Sequence, residues 1–193
     1  MTTSYRPVAA ALLALCWMPL ANALTLVEAG KSSYVIHLAE DAPASVQAAV
    51  RDLQKYLAQA TGAKLAVVNA PTPAMISIGD TPAARQAGIV AAELPWEGYR
   101  IATRGKVLFV VGRDTGKDER APGGGVSNGT RNGVSTFLED YVGVRWLMPG
   151  ENGDYVPKQA TLSIPEVDTT AAPFFRNRRL PYTQERKAVV KTW

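Results

Sequence analysis

Apolar residues recur along this chain with two periods, and the switches between them predict its elements. Tyr34-Val35-Ile36-His37-Leu38 is a β-branched run that suits a first strand. Asp41 and Pro43 then open a helix whose Val46, Val50, Leu53 and Leu57 share one face, with Gly62 as its stop. Leu65-Ala66-Val67-Val68 and Met75-Ile76-Ser77-Ile78 read as a second and a third strand, ended by Pro71 and Pro73 and by Gly79-Asp80. Residues 81–88 suit a short helix around Ala83-Ala84-Arg85. Residues 97–103 and 106–111 predict a hairpin turning at Arg104-Gly105. Its second strand, Val107-Leu108-Phe109-Val110-Val111, is apolar on both faces and so belongs at the centre of a sheet.

A longer pattern follows a glycine-rich loop. Val134, Phe137, Leu138, Tyr141 and Val142 fall on one helical stripe, with Thr130 placed as N-cap and Gly143 as a left-handed C′ residue. Val144-Arg145-Trp146-Leu147 then reads as a strand leading to the turn at Pro149-Gly150. Asp154-Tyr155-Val156-Pro157 and Thr161-Leu162-Ser163-Ile164 are expected to form an edge pair, limited by Pro165. The β-α-β-β-β-β-α order predicts an α/β fold: a single small domain, a mixed β-sheet with two main helices packed on one face. From Val167 the pattern decays into a linker, and residues 174–180 read as an unfinished strand.

The segment from Gly129 to Glu151 (Gly-Thr-Arg-Asn-Gly-Val-Ser-Thr-Phe-Leu-Glu, then Gly-Val-Arg-Trp, then Pro-Gly-Glu) resembles a stretch in the N-terminal accessory domain of large secreted glycoside hydrolases. The α-glucuronidases and the β-N-acetylhexosaminidases are the groups it is similar to. The resemblance implies that the stretch closes a small α/β domain just ahead of a catalytic barrel. It divides the chain into a signal peptide (1–23), the α/β domain (24–166), and a linker with the start of a missing catalytic barrel (167–193). Pro173-Phe174-Phe175-Arg176-Asn177-Arg178 resembles a motif at the first barrel strand of the hexosaminidases, where the arginine holds the substrate sugar. That carry-over lands on Arg178 as a carbohydrate-binding residue, although Arg179 follows where the family has glycine.

Composition sets the compartment. Arg6, the apolar run over residues 8–20 and Ala21-Asn22-Ala23 fit a secretory signal, and the run is too short to span a bilayer. The reading is therefore a secreted or periplasmic protein, with no membrane segment once the signal is cleaved. Cys16, the chain's one cysteine, falls inside that signal, so disulfides, thiol catalysis and cysteine metal sites are not expected. The formal charge of +4 owes much to a late cluster, Arg176, Arg178, Arg179, Arg186, Lys187 and Lys191. No nucleic-acid motif accompanies the cluster, which reads as a solvated linker.

Candidate chemistry is sparse. Glycoside hydrolysis needs two carboxyl groups flanking one bond. Glu139 and Asp140 are adjacent on a helix and splay apart, and Glu40-Asp41 at a strand-to-helix junction suits helix capping. No catalytic residue is assigned. His37, the single histidine, stands without a metal-ligand cluster, and no metal or other cofactor is expected. The loop over residues 123–130 has a phosphate-loop glycine spacing, but Thr130-Arg131 follows where Lys-Ser/Thr would be needed. Trp96, Tyr99, Trp146 and Tyr155 are the aromatic candidates for sugar stacking, with Trp146 expected to pack between this domain and the next.

The resulting expectation is an exported, non-catalytic accessory domain in carbohydrate metabolism that braces a C-terminal catalytic barrel. The rivals are a stand-alone carbohydrate-binding module built on Trp96 and Tyr155, and a structural interaction domain.

Overall fold

The structure is a computed structural model that describes residues 23–122 and 124–175. The expected signal peptide, and Arg178 with the rest of the basic cluster, lie outside the described residues. The elements are β1 (Leu24–Val27), β2 (Val35–Leu38), α1 (Ala44–Thr61), β3 (Val67–Val68), β4 (Met75–Ile78) and α2 (Pro82–Gln86). After a 3-10 turn at Ala91–Glu93 come β5 (Tyr99–Arg104), β6 (Val107–Gly112) and α3 (Gly129–Phe137), which continues as a π-helical turn, Leu138–Val142. The described residues end with β7 (Arg145–Trp146), β8 (Asp154–Tyr155), β9 (Leu162–Ile164) and β10 (Asp168–Ala171).

Six strands form the main sheet in the order β10-β5-β6-β4-β2-β3. β3, β2, β4 and β6 run parallel, and β5 is antiparallel to both of its neighbours. The apolar β6 is central, as its sequence requires. Period-two alternation gives the sheet two apolar faces. Ile36, Ile76, Ile78, Leu108 and Val110 point to one face, where α1 supplies Val46, Val50, Leu53 and Leu57 and α3 supplies Val134 and Phe137. Each of these leucines is fully buried, an arrangement that contributes about 2 kcal/mol per side chain. The opposite face carries Ala102, Phe109 and Val111 under a thin cover of Ala84, Ile89 and Leu94 from α2 and the turn after it.

Several local predictions hold. Gly62 and Gly143 end their helices at φ of 80° and 83°, the left-handed conformation that only glycine adopts without strain. The hairpin reverses through Gly105, at φ 57°. Other predictions fail for tertiary reasons. The expected edge pair does not form: β9 pairs with β1 at the far end of the chain, and β8 pairs with β7. Within the stretch expected to be a linker from Val167, Asp168–Ala171 forms strand β10. Asp168 holds that strand by accepting a two-pronged bond from Arg100 (2.7 and 2.9 Å) and a further one from Arg104. A polar run without apolar alternation is sufficient here because the strand sits at a solvated sheet edge and is fastened by charge.

Candidate functional site

The helical part of the Gly129-to-Glu151 stretch is placed by close packing. The carboxyl end of β6 meets the start of α3 backbone to backbone. A Cβ on Gly112 would lie 2.6 Å from Gly129 O and closer still to Thr130 N. On Gly129 it would lie 2.6 Å from Arg113 N. Gly133, one turn later, lets α3 settle on Tyr99 Cβ and Val110 Cγ1, which a Cβ there would meet at 3.0 and 2.9 Å. Val134, Phe137, Leu138 and Val142 are buried as the stripe predicts, and Glu139 and Asp140 are exposed.

Thr130 is not the N-cap. That position is Asn128, which makes no capping side-chain bond. Thr130 instead ties the two elements together, its Oγ1 accepting from Gly112 N (3.0 Å) and donating to Asp114 Oδ2. Asp114 Oδ1 accepts from Thr130 N at 3.1 Å, so a carboxylate from the loop caps the helix from outside. Burial pushes the Asp114 carboxyl above the usual carboxylate range, and the two bonds from Thr130 only partly offset this. The same arrangement closes the phosphate-loop reading: a carboxylate already occupies the helix N-terminus, and a phosphate would meet like charge there.

The four aromatic candidates separate. Tyr99 hydrogen-bonds Thr136 through its hydroxyl at 2.8 Å and packs beneath α3. Trp146 is half-buried and packs on α1 within this domain. Its Nε1 donates to Tyr56 Oη at 2.9 Å, the rings meet edge to face at 5.6 Å, and Tyr56 in turn donates to Asp154. One face of Trp96 is covered by the Arg113 guanidinium, 3.7 Å from the ring centroid. Tyr155 is exposed. Leu147 and Met148 are exposed after β7, and Phe174 and Phe175 after β10.

One concavity of about 690 Å³ opens at the carboxyl ends of β2, β4 and β6. The sequence gives no direct signal for it, because its lining comes from separate strand ends. The connection leaving β2 runs through α1 on one face of the sheet, and that leaving β4 runs through α2 on the other. The crevice between such diverging connections is where open α/β sheets bind ligands. Glu40, Asp41, Asp80 and Glu119 are exposed carboxylates of its lining, and Arg85 and Arg113 are its guanidiniums. Arg85 pairs with Asp80 at 2.8 Å. Glu40 and Asp41 do not cap α1, whose N-cap is Pro43 without a side-chain bond.

His37 also lines this cleft, yet is only 2% exposed. Its Nδ1 lies 3.4 Å from Ser77 Oγ, which lies 2.8 Å from Thr81 Oγ1. Thr81 Oγ1 also accepts from Ala84 N at 3.1 Å and so caps α2. Among the described residues no protein group bonds to His37 Nε2, and no group of three or more metal-ligating side chains occurs. Nor is any helix among them long and apolar enough to cross a membrane.

No protein-family model matches the chain, and no curated protein sequence matches it. Solved structures do resemble it. A family GH115 4-O-methyl-α-glucuronidase with specificity for decorated arabinogalactans is similar at 17% identity and a TM-score of 0.54, over 78% of this chain and 18% of the enzyme. The GH20 β-N-acetylhexosaminidase of Streptomyces coelicolor A3(2) follows at 14% identity and a TM-score of 0.46, over 81% of this chain and 26% of that one. A mutant β-hexosaminidase of Streptomyces plicatus follows at 12% identity and a TM-score of 0.45, over 80% and 24%. The chain thus spans about a quarter or less of the length of these proteins, and it shares a fold with one part of the α-glucuronidase.

Proposed function

We propose that this chain is an exported, non-catalytic accessory domain of a carbohydrate-active protein, with an α-glucuronidase-like or hexosaminidase-like parent, and that it braces a C-terminal catalytic barrel. The observation that supports the reading is a fold shared with less than a fifth of the GH115 enzyme. Asp114, the carboxylate whose burial would suit a general acid, has both oxygens engaged by Thr130 in holding the start of α3. Arg178, carried over from the hexosaminidase motif, would contact sugar only with the barrel in place. The exposed Leu147 and Met148 are the side chains proposed to rest on it.

The test is to express the chain alone and assay it against aryl glycosides and glucuronosyl oligosaccharides, and to read the DNA beyond the Trp193 codon. The expected outcome is no turnover and an open frame with barrel periodicity. Turnover that disappears on substituting a single Glu or Asp would reject the non-catalytic assignment, and a stop codon after Trp193 would reject the bracing role.

A further inference from the structure

The cleft at the carboxyl ends of β2, β4 and β6 has a polar group aimed into it that the fold itself leaves unused. His37 is buried with its Nδ1 engaged, and among the described residues its Nε2 has no protein partner; because no buried side-chain polar atom among them lacks a bond, Nε2 is the atom that keeps access to the cleft. The tautomer follows from the hydroxyls behind it. Ser77 and Thr81 are both fully buried, and each has one proton to place. Thr81 Oγ1 already accepts from Ala84 N. Both protons find acceptors among the bonds present only if Thr81 donates to Ser77 and Ser77 donates to His37 Nδ1. The imidazole proton then resides on Nε2, and the cleft receives a fixed donor.

The occupant must suit that donor and the rim around it. Five carboxylates, Asp114 included, face two guanidiniums in the lining, so an anion is disfavoured. Among the described residues no three acids converge as a metal site would require, so a bare cation is disfavoured too. What remains is a neutral ligand with many hydroxyls, each able to accept from Nε2–H or an arginine and to donate to a carboxylate. The volume, about 690 Å³, suits a small ligand of that kind.

We infer that this cleft is a saccharide-binding site, with His37 Nε2–H at its floor and Glu40, Asp41 and the Asp80–Arg85 pair at its rim. This site is separate from any sugar platform on Tyr155, and it goes beyond the bracing role. Either can fail without the other, because binding is read on this chain alone and bracing needs the barrel.

The experiment titrates the full chain with cellotetraose, xylotetraose and chitotetraose, followed by calorimetry and amide chemical shifts. Magnesium chloride and inorganic phosphate serve as rival probes. Saturable binding of at least one saccharide is expected, weakened about tenfold by His37→Phe, which keeps the ring volume but removes the donor. Ala92→Trp places an indole in the cleft from an exposed position of its lining, so it should fold and abolish binding. No saturable signal with any of the three saccharides overturns the inference. So does binding that survives Ala92→Trp, or that is lost on Tyr155→Ala instead. Displacement by phosphate or magnesium at the same amides would reassign the cleft to an ion.

Discussion

Replacing Gly133 by alanine sets two effects of known size against each other. Gly133 lies inside α3, where alanine is favoured over glycine by about 1 kcal/mol on backbone grounds. Against this, the new Cβ would lie 2.9 Å from Val110 Cγ1, 3.0 Å from Tyr99 Cβ and 3.1 Å from Tyr99 Cγ. These atoms would have to retreat by several tenths of an ångström to restore ordinary contact. They cannot do so easily. Val110 is a β-branched residue buried in the central strand, and Tyr99 Cβ is fixed by pairing with Gly112 and by the bond from its hydroxyl to Thr136. Overpacking a tight core costs about 1–3 kcal/mol, so a net loss of about 1 kcal/mol is expected, or about 2–4 °C in Tm. Urea unfolding followed by circular dichroism measures it. Gly125→Ala, with no atom within 4 Å of its new Cβ, is the neutral control. Gly112→Ala, which drives a Cβ into backbone, should cost about 3 kcal/mol or more. A Gly133→Ala protein as stable as the parent, or more so, would refute the argument that this glycine exists for helix-to-sheet approach.

Two carboxylates should respond oppositely to pH. Bonds from Arg100 and then Arg104 hold the Asp168 carboxyl well below the usual range. Its contribution is therefore present above the unfolded pKa of about 3.9 and lost as pH falls through the lower folded value. Asp168 is exposed enough to be screened, so Asp168→Asn should cost no more than about 1 kcal/mol near neutrality, with the difference shrinking below pH 4. Asp114 is raised by burial, so its contribution is present below the unfolded value and lost as pH rises through the folded one. Asp114→Asn should therefore gain on the parent between acid and neutral pH, and urea midpoints across that range would show both trends. Tyr56→Phe removes the hydroxyl that joins Trp146 to Asp154 and should cost about 1–2 kcal/mol, with altered Trp fluorescence; an unchanged midpoint would deny the bridge a structural role.

What the sequence determined by itself was the periodic elements and their stops, which have local causes. Helical spacing located α1 and α3 and their buried faces, glycines marked where they stop, and the doubly apolar run over residues 107–111 announced the central strand. Only the tertiary structure decided which distant segments meet. β1 finds β9 across most of the chain, with Thr25 bonded to Ser163, and no local pattern specifies that partner. Asp168–Ala171 becomes a strand because two arginines on its neighbour neutralise and clasp an aspartate, a charge contact invisible to hydropathy. Asp114 caps α3 from across a loop, taking the place that proximity suggested for Thr130. The cleft lay furthest from view. Its histidine, hydroxyls and carboxylates sit at the ends of separate strands, and only the parallel order of those strands brings them to one edge.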